Sequence, residues 1–129
     1  AAEVRRGLFP LGGSTVRLQR QIAFTNAADL LLTGRLISAD EAKEIGLIGH
    51  VVDDGQALAK ARELAAQIAA NGPLAVREVL RSMRETAGMT EADGLARELE
   101  IGWPVIGSKD AKEGPRAFAE KREPQFTGE

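Results

Sequence analysis

The chain has 129 residues, 43% hydrophobic and 28% charged, the proportions of one globular domain or a large part of one. A formal net charge of -2 provides no electrostatic footprint for nucleic acid or an anionic membrane, and no apolar run approaches the ~20 residues of a membrane-spanning helix. The absence of cysteine removes disulfides, thiolate catalysis and zinc–thiolate sites, and the single histidine, His50, cannot form a multi-histidine metal site.

Residues 1–18 read A-A-E-V-R-R-G-L-F-P-L-G-G-S-T-V-R-L. One carboxylate, Glu3, stands before two arginines, and Pro10, Gly12 and Gly13 punctuate a loop. Ser14 or Thr15 is placed to cap a helix for which Val16, Leu18 and Ile22 supply apolar spacing. Asn26, with Asp29 three residues on, reads as the next helix start, and Gly34 as its stop. Residues 38–41, S-A-D-E, form a capping box in which Glu41 reaches back to Ser38; Ala42 and Ile45 then face inward and Gly46 ends the helix. Residues 47–52, L-I-G-H-V-V, are short, apolar and β-branched, which predicts an edge strand followed by a turn at 53–55. His50 has no acidic partner nearby and reads as structural or exposed.

Residues 56–70 carry the clearest amphipathic pattern, with Leu58, Ala61, Leu64, Ala65 and Ile68 on one face. Asn71-Gly72-Pro73 stops that helix and starts another over 74–86, with Val76, Val79, Leu80 and Met83 on its apolar side. Thr90 to Asp93 looks like a further start, and Leu95, Leu99 and Trp103 form a stripe of the kind that normally enters a core. Pro104 is expected to end or kink this helix. Ser108 caps a last segment, 109–121, which Pro115 either kinks or splits, and the tail 122–129 reads as extended. The expectation is a mostly α chain of about six short helices and one or two short strands. With no Met at position 1 and Glu3 so near the start, we expect the C-terminal part of something larger.

A Gly-rich loop entering a helix N-terminus attracts anions, but no G-K-[ST] ending makes this a P-loop and G-x-G-x-x-G is absent. The plainer reading of the loop is a tight turn that lets a helix pack closely. Glu3 taken alone reads as a solvated carboxylate.

Three separated motifs change this. Residues 2–18 resemble the segment P-E-x-x-x-G-x-x-P-G-x-G-G-T-x-R-L of the crotonase (enoyl-CoA hydratase/isomerase) superfamily. Residues 30–52, L-L-L-T-G-R-L-I-S-A-D-E-A-K-E-I-G-L-I-G-H-V-V, resemble its L-T-G-x-x-I-x-A-x-E-A-x-x-x-G-L-V-x-x-V-V. Residues 108–122, S-K-D-A-K-E-G-P-R-A-F-A-E-K-R, resemble its C-terminal E-G-x-x-A-F-x-E-K-R. The resemblance spans essentially the whole chain.

It implies the C-terminal half of the α/β crotonase fold: residues 1–25 as the end of the core with its Gly/Pro loop and first helix, and 26–129 as the helical region used for trimer contacts. Such enzymes bind acyl-CoA thioesters and stabilise a thioester enolate with two backbone N–H groups. In the hydratases, two carboxylates position water and move protons as it adds across the 2,3-double bond. Glu3 falls on the second of these glutamates, the one that exchanges the α-carbon proton. Lys121 matches a position that reaches the coenzyme A phosphates, against the plain alternative of a solvated charge. Trp103 lies near a position where some relatives place an aromatic against the adenine. No cofactor and no metal are implied, coenzyme A being part of the substrate. The implied partners are an acyl-CoA, other copies of the chain in a trimer or dimer of trimers, and the fold's N-terminal half; nucleic acid and membrane are not among them, and the implied compartment is the cytoplasm.

The chain departs from the pattern at Ala2, Leu11 and Ser14, where proline, glycine and glycine are usual; the loop should therefore tolerate positive φ less readily. The superfamily also holds isomerases, decarboxylases and dehalogenases, which share the fold and differ in the side chains that move protons. Retaining Glu3 favours a hydratase. The first glutamate and the oxyanion-hole segments would precede Ala1, so the chain by itself is expected to be inactive; the alternative reading is a non-catalytic helical oligomerisation fragment.

Overall fold

The computed structural model describes residues 2–129. A single 3-10 turn, Glu3–Arg6, opens it, and seven α-helices follow: α1 Ser14–Gln21, α2 Phe24–Thr33, α3 Ala39–Glu44, α4 Ala57–Ala69, α5 Pro73–Glu85, α6 Glu91–Ile106 and α7 Lys109–Ala119. The chain divides into two compact units, Ala1–Leu58 and Ala59–Glu129.

In the first unit, Ile22, Ala27 and Leu30 are buried together, with Leu18, Ile37, Ile45 and Leu47 packed against them. This small core explains where the helices start and stop. Ile22 is both a core residue and the extended cap of α1 (φ -126, ψ 166), so the link to α2 is only two residues long. Helix α2 therefore begins at Phe24, and Asn26, expected as its cap, lies inside its first turn. Gly13, with φ 97, caps α1 in place of Ser14 or Thr15. The positive φ values of the loop fall on Gly12 (81) and Gly13, so Leu11 and Ser14 meet no left-handed demand.

Ser38 caps α3 as expected, accepting the Glu41 N–H at 3.1 Å. The Glu41 carboxylate does not reach back. It accepts from Arg35 at 2.6 Å, and Arg35 also donates to Asp29 at 2.5 Å, tying α2 to α3. The guanidinium wins because a charge-assisted bond is stronger than one to a backbone amide. Residues 47–52 form no strand, and none occurs among the described residues. A strand needs a neighbour to pair with its alternate N–H and C=O groups. Here the Leu47 and Ile48 N–H groups instead donate to the Ala42 C=O, and the Gln21 amide donates to the Leu47 C=O at 2.7 Å.

In the second unit, α5 and α6 pack together. Arg97 of α6 donates to Glu85 of α5 through Nε (2.8 Å) and Nη2 (2.6 Å), while Arg81 reaches the same carboxylate from its own helix at 2.7 Å. Pro104 neither ends nor breaks α6, which runs to Ile106; lying in the last turn, it removes one backbone bond with little helix left to disrupt. Pro115 likewise lies inside one continuous α7. The residue before it is Gly114, and the missing Cβ relieves the clash that normally excludes helical conformation there. Thr90 and Ser108 cap α6 and α7, accepting the N–H groups of Asp93 (3.2 Å) and Ala111 (3.0 Å).

The tail folds back along α7. Asp110, 7% exposed, accepts the N–H groups of Thr127 (2.7 Å) and Gly128 (2.8 Å). In return the Glu129 C=O accepts from Lys109 (2.7 Å) and Asp110 (3.1 Å), supplying partners to two amides at the start of α7. The Phe126 ring lies beside Gly72 and Gly114. The amphipathic helix α4 buries none of its residues within the chain.

Candidate active-site carboxylate and coenzyme-binding residues

Glu3 begins the 3-10 turn, and its C=O accepts the Leu8 N–H at 3.1 Å. Gly34, the left-handed cap of α2 (φ 64), fixes the turn from the other side. A Cβ on Gly34 would stand 2.8 Å from Arg5 Cγ and 3.1 Å from Val4 Cγ2, so the turn can lie on the end of α2 only because position 34 is glycine. Glu3 itself is half-buried. Its Oε2 is buried and has no hydrogen-bond partner among the described residues. Such an oxygen ordinarily costs stability.

Lys121 and Trp103 belong to the second unit. Trp103 is 67% exposed, so the stripe of Leu95, Leu99 and Trp103 does not enter a core within this chain. It instead lines a groove of about 630 Å³ between α5 and α6, with Val79, Met83, Leu99 and Ile106. Lys121 is not among the groove's residues.

Lys121 follows the cap of α7 and is the non-glycine residue with left-handed backbone, φ 54, among the described residues. Two bonds close the helix there: the Lys121 N–H to the Phe118 C=O (3.2 Å) and the Arg122 N–H to the Ala117 C=O (3.0 Å). Helix α3 closes with the same pair of bonds, Gly46 to Lys43 and Leu47 to Ala42, but with glycine at the left-handed position. A side chain in that conformation costs about 1–2 kcal/mol. The Lys121 ammonium is exposed and has no ion-pair partner among the described residues.

The neighbours of Lys121 are held on both sides. Arg122 donates to Glu113 through Nη1 (2.6 Å) and Nη2 (3.0 Å) and to Glu120 through Nε (2.6 Å). Glu113 also accepts the Gln125 N–H at 2.9 Å, and Glu120 accepts from Arg116 at 2.9 Å. Arg122, and then the Gln125 amide, hold the Glu113 carboxyl down at about 2. Glu120 is lowered in the same way by Arg116 and then Arg122. This clamp escaped the sequence reading because its partners are nine residues apart across a helix end; the E-G and E-K-R motifs were visible, but not that their charges meet. His50 is exposed, and no group of three or more acidic or histidine side chains placed to hold a metal occurs among the described residues. No described helix is long and apolar enough to cross a membrane.

The sequence model of the enoyl-CoA hydratase/isomerase family matches residues 1–129, and the chain belongs to that family. It is 63% identical over 125 residues to the enoyl-CoA hydratase EchA19 of Mycobacterium tuberculosis, covering 97% of this chain and 47% of that protein. It is 37% identical to a carnitinyl-CoA dehydratase of Salmonella arizonae, covering 98% of this chain and 50% of the relative. The crystal structure of an enoyl-CoA hydratase from Bacillus anthracis superposes with a TM-score of 0.95 at 41% identity, over 99% of this chain and 50% of that one. The helices described above are therefore those of the C-terminal part of the crotonase fold, and the chain spans about half the length of the curated relatives it matches.

Proposed function

We propose that this chain is the C-terminal half of an enoyl-CoA hydratase, acting on acyl-CoA thioesters by adding water across the 2,3-double bond through an enolate. The observation that carries the reading is Glu3, whose place in the family motif coincides with a buried carboxylate oxygen lacking any partner among the described residues. In this reaction a second carboxylate takes one proton from the water as its oxygen bonds to the β-carbon, the electron pair of the double bond moves into the thioester as an enolate, and the α-carbon then takes a proton. Glu3 delivers that proton and recovers one in the reverse direction. Its fixed turn keeps the acid in place, and its free oxygen faces no competing donor. The enolate needs two backbone N–H donors and the water needs a second carboxylate; in this reading the family's N-terminal half supplies both.

Lys121 contacts the coenzyme A phosphates, and Trp103 supplies an aromatic surface towards the adenine. No separate cofactor or metal takes part. The working assembly is a trimer or dimer of trimers in the cytoplasm, with residues 26–129 forming the helical contact region; the exposed apolar faces of α4, α5 and α6 support that part.

The test is hydration of crotonyl-CoA by the chain joined to its N-terminal half, and by the chain alone. The joined protein turns over, Glu3→Gln lowers kcat by about 10²–10⁴-fold with little change in KM, and the chain alone is inert. Full activity in Glu3→Gln would remove Glu3 from the mechanism. Turnover by the chain alone would show that the missing donors are not needed.

A further inference from the structure

We infer that Glu113, acting through Arg122, is a positioning residue that holds Lys121 ready for the nucleotide phosphates of coenzyme A. The inference rests on the reading of Lys121 as a phosphate contact and goes beyond it by assigning a task to the Glu113–Arg122–Glu120 clamp. The strained backbone of Lys121 contrasts with the relaxed glycine that closes α3 through the same two hydrogen bonds. A side chain persists in left-handed conformation only where its surroundings over-determine it.

Here the clamp does so. Arg122 is fixed to α7 by both oxygens of Glu113 and by Glu120, and the Gln125 amide is pinned to the same Glu113 carboxylate. The residues on either side of Lys121 are therefore both tied to α7, which supports the backbone turn that Lys121 occupies. The clamp has a second consequence. Glu113 and Glu120, the two carboxylates of this closure on the α7 side, are occupied by Arg122 and Arg116 and so are not free to capture the ammonium. Arg122 has committed Nε, Nη1 and Nη2, so its fork is unavailable for bidentate phosphate recognition. What remains is the Lys121 ammonium, a compact charge directed by a rigid helix closure, which suits a phosphate.

The test uses the full-length hydratase with crotonyl-CoA and crotonyl-pantetheine, a thioester lacking the nucleotide phosphates. The variants are Glu113→Gln, Arg122→Lys, Lys121→Ala and the Glu113→Gln/Lys121→Ala pair. Lys121→Ala raises KM for crotonyl-CoA by about tenfold, the effect of one lost charge-assisted contact. Glu113→Gln raises it by about threefold to tenfold, leaves kcat and the KM for crotonyl-pantetheine unchanged, and adds nothing once Lys121 is alanine. Arg122→Lys keeps the charge but loses the fork, shows the same split, and decides the matter if Glu113→Gln does not fold. If Lys121→Ala does not change the preference for crotonyl-CoA over crotonyl-pantetheine, the phosphate role of Lys121 fails, and this inference with it. If Lys121→Ala changes it but neither clamp variant does, or the clamp variants weaken both thioesters alike, or they act additively with Lys121→Ala, the positioning role is overturned while the phosphate contact stands.

Discussion

Lys121 and Gly46 occupy equivalent positions at two helix ends, and the difference between them can be measured. Replacing Lys121 with glycine relieves about 1–2 kcal/mol of left-handed strain and returns about 0.5–1 kcal/mol of backbone entropy to the unfolded chain. The balance stabilises Lys121→Gly by up to about 1.5 kcal/mol, a rise in Tm of a few degrees for a chain of this size. On the reading above, the same substitution weakens binding of coenzyme A. A variant that gains stability and loses ligand affinity would identify position 121 as a site where strain is kept for function. A lower Tm for Lys121→Gly, read by thermal denaturation, would mean that the lysine side chain makes a stabilising contact outweighing its backbone cost.

At the scale of elements, the closure between α7 and the tail depends on ionised carboxylates. Glu113 is held near 2 in the folded state against an ordinary 4.5, first by Arg122 and then by the Gln125 amide. A folded pKa below the unfolded one contributes stability that is present above about 4.5 and is lost as the pH falls towards 2. Glu41, Glu78, Glu85 and Glu120 are shifted the same way by their arginine partners and add to the loss in the same direction. Helicity followed through an acid titration should fall over this window. Glu113→Gln, which has no carboxylate to protonate, should show a shallower fall than the unsubstituted chain. Identical titration curves would mean that the clamp does not contribute to holding the fold.

At the scale of the molecule, the apolar surface left uncovered is the dominant fact. Among the described residues the buried hydrophobic core consists of Ile22, Ala27, Leu30, Ala42, Ile101 and Ala117, while Leu58, Ile68, Met83, Leu99, Trp103, Ile106 and Phe118 are all more than half exposed. Patches of this kind mark surfaces that pack against something. The isolated chain should therefore self-associate, and joining it to the fold's N-terminal half should reduce that tendency. Analytical ultracentrifugation checks this: a concentration-independent monomer of 13.7 kDa would contradict it.

The helices and the family were legible in the sequence because their causes are local. Ser38, Thr90 and Ser108 cap their helices by accepting an amide three residues on, and Gly34 stops α2 because of its own φ. Three ordered motifs sufficed to place the chain in the C-terminal half of the crotonase fold. What failed needed a partner distant in sequence. The apolar run at 47–52 had strand composition but no neighbouring strand, Asn26 had a cap's chemistry but yielded to the burial of Ile22, and Trp103 had a core pattern but no core within this chain to enter. The free oxygen of Glu3 and the strain at Lys121 were likewise invisible, because burial and backbone dihedrals arise only once the chain has folded against itself. The sequence by itself determined most of the helices, the caps at Ser38, Thr90 and Ser108, and the family; the tertiary structure decided the starts of α1 and α2 and which side chains were left unpaired and strained, since that depends on what each group meets in space.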